Sequence, residues 1–178
     1  IADALSSGAG NIDIDSTGST VGISNTVTTS TGAITVDADG LTTVTALVRA
    51  TGNGSVAFAG TLPGDLSLGV GPTTVGAATG GNISFGQPVT LTAPITISTG
   101  AAVGDISFGA ASSITGAQTL EITAGTGNIA FGTADTECPI GETALTSLTI
   151  NSANNVTFNS TVDAGFVLQS AGGAAGTT

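Results

Sequence analysis

A six-residue phrase recurs along this chain and restricts its fold more than any other feature. Residues 81–86 read Gly-Asn-Ile-Ser-Phe-Gly, 104–109 read Gly-Asp-Ile-Ser-Phe-Gly, and 127–132 read Gly-Asn-Ile-Ala-Phe-Gly. Looser copies flank them: Gly10-Asn11-Ile12-Asp13-Ile14, Gly32-Ala33-Ile34-Thr35-Val36 and Gly54-Ser55-Val56-Ala57-Phe58 before, Asn154-Asn155-Val156-Thr157-Phe158 after. The first apolar residues of the copies are Ile12, Ile34, Val56, Ile83, Ile106, Ile129 and Val156, separated by 22, 22, 27, 23, 23 and 27 residues. Such self-similarity marks a repeat array, in which each unit buries its apolar face only against its neighbours.

Within a copy the alternation has a period of two, so Ile83 and Phe85 face one side of a strand and Ser84 the other. Stacked copies bring Phe58, Phe85, Phe108, Phe131 and Phe158 into one column, accounting for five of the six Phe residues. A second alternation runs through Asp65-Leu66-Ser67-Leu68, Pro94-Ile95-Thr96-Ile97, Thr119-Leu120-Glu121-Ile122, Ser147-Leu148-Thr149-Ile150 and Gly165-Phe166-Val167-Leu168, and reads as the third strand of each repeat. Between them a shorter middle strand is expected, with Val21, Ile23, Leu41, Leu62, Val89, Leu91, Ile114 and Val162 pointing inward. Gly and Asn in the corners are expected to supply positive-φ turns.

Three strands in about 23 residues leave no room for a helical crossover, and hairpins would not return the same strand to the same column. The expected fold is all-β: a parallel β-solenoid, or β-helix, of about seven coils of 22–27 residues, right-handed by the rule for parallel crossovers. At about 4.8 Å per coil the stack is about 30–35 Å long. Residues 1–178 read as a single array. Leu5 falls in phase with a third strand and no polar cap is evident at either end, so a slice of a longer protein or a stacking subunit is expected. Two coils are long, at 69–80 and 133–143, and such insertions are where a solenoid adds a binding surface.

Composition removes several functions. The net charge is −11, with Arg49 the one basic residue against 12 acids. Nucleic acid and anionic membrane surfaces need clustered Lys and Arg, so neither is an expected partner. No apolar run approaches the roughly 18 residues of a membrane-spanning helix. With no His and a solitary Arg, general acid-base chemistry on a glycan lacks its actors, and an enzyme is not expected.

The residues preceding the first apolar column include Asn11, Asn82, Asp105, Asn128 and Asn155, which read as a corner ladder of amides bonding between turns. Asn53, Asn82, Asn155 and Asn159 also begin Asn-x-Ser/Thr sequences, which admits glycosylation. Aligning Ile12 with Ile34 stacks Asp15 on Asp37, with Asp13 and Asp39 close by. Ca2+ would relieve the repulsion of such a pair, but no calcium-loop pattern accompanies it, and solvated carboxylates are the plainer reading. No other cofactor is implied. Cys138 stands alone, with no His or Lys to activate it, and reads as an unreactive thiol or an intermolecular link. The outward residues of the first strand, Ala57, Ser84, Ser107, Ala130 and Thr157, are small and uncharged, a flat face suited to another copy, to a glycan or simply to solvent.

The phrase Gly-Asn-Ile-x-Phe-Gly, followed by Leu-x-Ile and a Gly-rich corner, resembles the repeats of large bacterial surface proteins of the filamentous-haemagglutinin and autotransporter-adhesin kind. The resemblance spans residues 8–170, with a longer period and less charge than the haemagglutinin. It implies an extracellular or cell-surface solenoid with a structural role: a fibre, filament or layer built by coil stacking and self-association. The alternative it implies is an adhesin stalk that holds a glycan or host surface through its corner insertions.

Overall fold

The computed structural model describes residues 1–60, 64–75, 81–109 and 112–169, and every regular element among them is a β-strand. The strands are numbered along the chain. A first sheet contains β2 (Ile12–Ser16), β5 (Ile34–Ala38), β8 (Val56–Phe58), β11 (Ile83–Phe85), β14 (Ile106–Phe108), β17 (Ile129–Phe131) and β20 (Val156–Phe158). A middle sheet contains β3 (Val21–Ile23), β6 (Thr42–Val44), β9 (Leu66–Leu68), β12 (Val89–Leu91), β15 (Ile114–Thr115), β18 (Ile140–Leu145) and β21 (Val162–Ala164). A third contains β1 (Leu5–Ser7), β4 (Val27–Thr29), β7 (Val48–Thr51), β10 (Thr73–Val75), β13 (Ile95–Ser98), β16 (Thr119–Thr123), β19 (Ser147–Ser152) and β22 (Val167–Gln169). Each strand pairs in parallel with its counterparts one repeat away, so the chain is a parallel β-solenoid of seven three-strand coils, as the repeat implies.

Register explains the phrase. Ile12 pairs with Ile34, Ile34 with Val56, and the column continues through Ile83, Ile106 and Ile129 to Val156. Most β-branched and Leu residues of the inner faces are fully buried, forming one continuous core with the Phe rings. The N–H of each column residue donates to the carbonyl of the corner residue one coil on: Ile83 to Asp105 at 2.9 Å, Ile106 to Asn128 at 2.9 Å, Ile129 to Asn155 at 2.9 Å.

The glycines that open the phrase have a different role from the one expected. Among the described residues no non-glycine has positive φ, and the positive-φ glycines are Gly18, Gly52, Gly100, Gly116, Gly125, Gly132 and Gly141. Of these only Gly132 belongs to a phrase, and there it closes the copy. Gly32, Gly54, Gly81, Gly104 and Gly127 instead form a column in which backbone lies on backbone. A Cβ on Gly81 would stand 1.6 Å from the Gly54 carbonyl oxygen, and one on Gly127 would stand 2.2 Å from that of Gly104. The corner is closed by contact distance, which only a missing side chain permits.

Four strand assignments differ from expectation. Leu66 and Leu68 lie in the middle sheet, paired with Thr42 and Val44, and β10 supplies the third strand of that coil from within the supposed insertion. Leu62 and residues 76–80 lie outside the described residues. Leu41 is 44% exposed, because Thr42 and Val44 take the inward phase of β6. In the sixth coil the supposed insertion likewise contains the middle strand, with Ile140 in register between Ile114 and Val162. In β22 Val167 and Gln169 stand over Leu148 and Ile150, so Phe166 and Leu168 fall out of the expected phase, and in this last described strand Phe166, Val167 and Leu168 are all exposed. A one-residue shift in a period of two exchanges the two faces, and alternation alone does not choose between them.

Candidate functional site

The first sheet carries the most regular features of the molecule. On its inner side the five rings stack face to face: centroids are 5.6 Å apart for Phe58 and Phe85, 4.6 Å for Phe85 and Phe108, 5.0 Å for Phe108 and Phe131, and 4.9 Å for Phe131 and Phe158. Interplanar angles are 9° or less, because in-register parallel strands leave each ring the same rotamer as its neighbour. The four lower rings are fully buried and Phe158 is half-buried at the edge of the core.

At the corner, side chains bond coil to coil. Asn11 Oδ1 accepts from the Ala33 N–H at 3.0 Å, Asn82 Oδ1 from the Asp105 N–H at 2.9 Å, and Asp105 Oδ1 from the Asn128 N–H at 2.7 Å. The Asn128 amide also donates to Asp105 Oδ1 at 3.2 Å, while Asn128 Oδ1 accepts from the side chains of Asn154 and Asn155 at 3.2 and 3.0 Å. Ala33 and Ser55 interrupt the column between Asn11 and Asn82. Asp105 replaces an amide here because the position is used as an acceptor, which a carboxylate satisfies equally.

These amides and the small outward residues of the neighbouring strands bound a shallow groove of about 440 Å³. It is lined by Asn82, Ser84, Asp105, Ser107, Asn128 and Ala130 among others. Its floor is low because Ser and Ala project little, and its rim is the corner ladder.

Asp15 and Asp37 are register partners on the outer side of β2 and β5. Asp39 lies one corner further on, where a carboxylate oxygen accepts from the Gly18 N–H at 3.3 Å. Among the described residues no third ligand joins Asp15 and Asp37 in a metal-binding group. Cys138 is fully buried beneath the turn formed by residues 133–137, which Thr133 and Thr136 close with reciprocal backbone bonds of 2.8 and 3.2 Å. Burial pushes its thiol up from 9.0 to about 11, against a smaller opposing effect of a backbone hydrogen bond at Gly132.

Two features escape a reading of the sequence. Thr29 and Thr99 are buried polar residues whose hydroxyls tie the end of the third strand to the glycine column, donating to the carbonyls of Gly10 at 3.1 Å and Gly104 at 2.9 Å. The second is a depression of about 360 Å³ on the outer side of the third sheet, lined by Arg49 together with the hydroxyl residues Ser6, Ser7, Thr28, Thr29, Ser30 and Thr51. Arg49 is flanked by inward Val48 and Ala50, and that alternation is the one sequence signal for its outward placement.

The geometry defines the class, a parallel β-solenoid with an aromatic spine and a hydrogen-bonded corner. No family model, curated protein or solved structure matches the chain.

Proposed function

We propose that this chain is a structural element of an extracellular or cell-surface fibre or layer, built by adding coils to coils. One observation carries the reading: among the described residues the strand columns stay in register up to the last strand at each end, and beside β3 the edge already takes a partner, Ile1, which bonds to Gly22 and Ser24. β1, β2 and β3 end their sheets on one side, and β20, β21 and β22 on the other. Such edges pair with any strand set of matching spacing, whether further coils of the same polypeptide or another copy. Head-to-tail contact of this kind is heterologous and propagates as a filament. Phe158 at one end and Ile14 at the other occupy the same inward column of the first sheet, so joined stacks continue the core.

The repeat grammar supports the kinship to filamentous-haemagglutinin-like and autotransporter-adhesin-like proteins proposed from the phrase, and a non-enzymatic role is part of this reading. No cofactor takes part in it, and neither nucleic acid nor membrane insertion of this segment does.

Electron microscopy of the purified chain tests the stacking. Ile12 donates its N–H to the Ala33 carbonyl, so Asp13, the alternate residue, turns its own N–H toward the open edge. Asp13→Pro removes that donor without breaking a ladder bond and should shorten or abolish filaments, whereas Asp13→Asn should leave them intact. Filaments unaffected by the proline, or none in the parent protein, would contradict the reading.

A second reading, an adhesin stalk, is favoured by one feature. The turn at residues 133–137 leaves the solenoid surface with Thr133, Ala134, Asp135 and Glu137 exposed, and the buried Cys138 anchors its base. If that turn holds a glycan or surface ligand, shortening it abolishes adhesion while filaments persist.

A further inference from the structure

The third sheet differs from the other two in charge. Its strands contain two charged residues, Arg49 in β7 and Glu121 in β16. The first sheet carries Asp13, Asp15 and Asp37 with no base, and the middle sheet carries Glu142 and Asp163 with no base. On a molecule of net charge −11, the outer face of the third sheet is therefore the charge-balanced one. Two copies meeting through the other faces bring like charges together, and through this one they need not.

The two charges do not satisfy each other within one copy. β7 and β16 are separated by β10 and β13, which places three ladder steps, about 14 Å, between them. That exceeds the screening length of about 8 Å at physiological salt. The rows are also offset: Arg49 pairs with Thr73, Thr73 with Ser98 and Ser98 with Thr123, whereas Glu121 pairs with Thr96. The Nε of Arg49 is buried and has no hydrogen-bond partner, and Arg49 is one of the residues that line the hydroxyl-rich depression described above. That donor of the guanidinium lacks an acceptor, and a carboxylate is the group its fork fits best.

We propose that this face docks a second copy of the chain side by side, with Glu121 of each copy entering the Arg49 depression of the other. The arrangement is isologous. A two-fold axis lying in the face, perpendicular to the line joining Arg49 and Glu121, exchanges the two positions and so forms both pairs at once. Between them the face offers Thr73, Thr96 and Ser98, with Thr28 beyond Arg49 and Thr123 beside Glu121, side chains short enough for two sheets to approach closely. This lateral contact is separate from the end-to-end stacking of the proposed function, and together they would turn single filaments into ribbons or layers.

Charge exchange tests it, measured by sedimentation in the Asp13→Pro background so that end-to-end joining does not intrude. Dimers are expected, and Arg49→Glu or Glu121→Arg should each weaken dimerisation about tenfold or more. The double exchange should restore it. Glu121→Arg is the sharper arm: it brings the net charge from −11 to −9, so general repulsion alone predicts tighter association where the specific pair predicts weaker. The proposal is overturned if the parent does not dimerise, if either single variant dimerises normally, or if the double exchange fails to restore what the singles lose. It is equally overturned if polygalacturonate binds the monomer through Arg49 without dimers forming, since the occupant is then a glycan.

Discussion

The ring of Phe85 lies 4.6 Å from that of Phe108, with the two planes 8° apart, although 23 residues of chain separate them. The spacing is that of neighbouring parallel strands, so the contact belongs to the winding of the backbone and not to a local motif. Removing one ring from the middle of this stack opens a cavity bounded by two others. Phe108→Ala should cost about 3–5 kcal/mol in urea unfolding, and Phe158→Ala distinctly less, because that ring is half-buried at the edge of the core.

The glycine column predicts a sharp positional contrast. Gly81→Ala drives a methyl group into the Gly54 carbonyl, where backbone cannot yield, and should destabilise by several times the roughly 1 kcal/mol that glycine-to-alanine changes usually involve. At Gly22, on the outer face of β3, a Cβ meets nothing within 4 Å, and Gly22→Ala should be neutral or stabilising by about 0.4–1 kcal/mol. Thermal midpoints of the two variants separate these outcomes.

The corner ladder should be worth a modest amount per rung. Asn128→Ala removes a donor to Asp105 and the acceptor of both Asn154 and Asn155, all on an exposed edge. A loss of about 1–2 kcal/mol is expected, read as lower hydrogen-exchange protection of the Ile106 and Ile129 amides on either side.

Cys138 sets a limit on the alkaline side. The folded thiol keeps its proton to about pH 11, whereas an unfolded one titrates near its ordinary 9.0. Its contribution to stability is therefore intact below about pH 9 and is lost progressively as pH rises toward 11. The chain has no Lys, Tyr or His to titrate in that window, so Cys138→Ser should flatten the fall of the unfolding midpoint between pH 9 and 11. Below pH 9 the native thiol should also react with iodoacetamide more slowly than the unfolded one.

What could be read in advance followed from how each signal arises. The column through Ile83, Ile106 and Ile129, and the rings beside it, repeat as words in the sequence, and in-register stacking is the simplest geometry that repeats with them. The middle and third strands share one alternation of apolar and small polar residues. Leu66-Ser67-Leu68 therefore fits either sheet, and only the backbone path between the fixed phrases decides for the middle one. Thr42 in place of Leu41 shows that inward phase is set by the pairing partner and not by hydrophobicity. The crowding at Gly81 is invisible in a string of letters, since a glycine needed for contact and one needed for positive φ look alike. The Arg49 depression is assembled from three coils and has no local signature beyond alternation.

The central claim is that successive phrases lie directly over one another in a continuous parallel winding. With Phe isotopically labelled, ring-to-ring nuclear Overhauser contacts test it directly, because the rings are few and all but one belong to the column. The account predicts contacts linking Phe58 to Phe85, Phe85 to Phe108, Phe108 to Phe131 and Phe131 to Phe158, and none that skip a coil. Rings without mutual contacts, or a contact between Phe85 and Phe131, would contradict it.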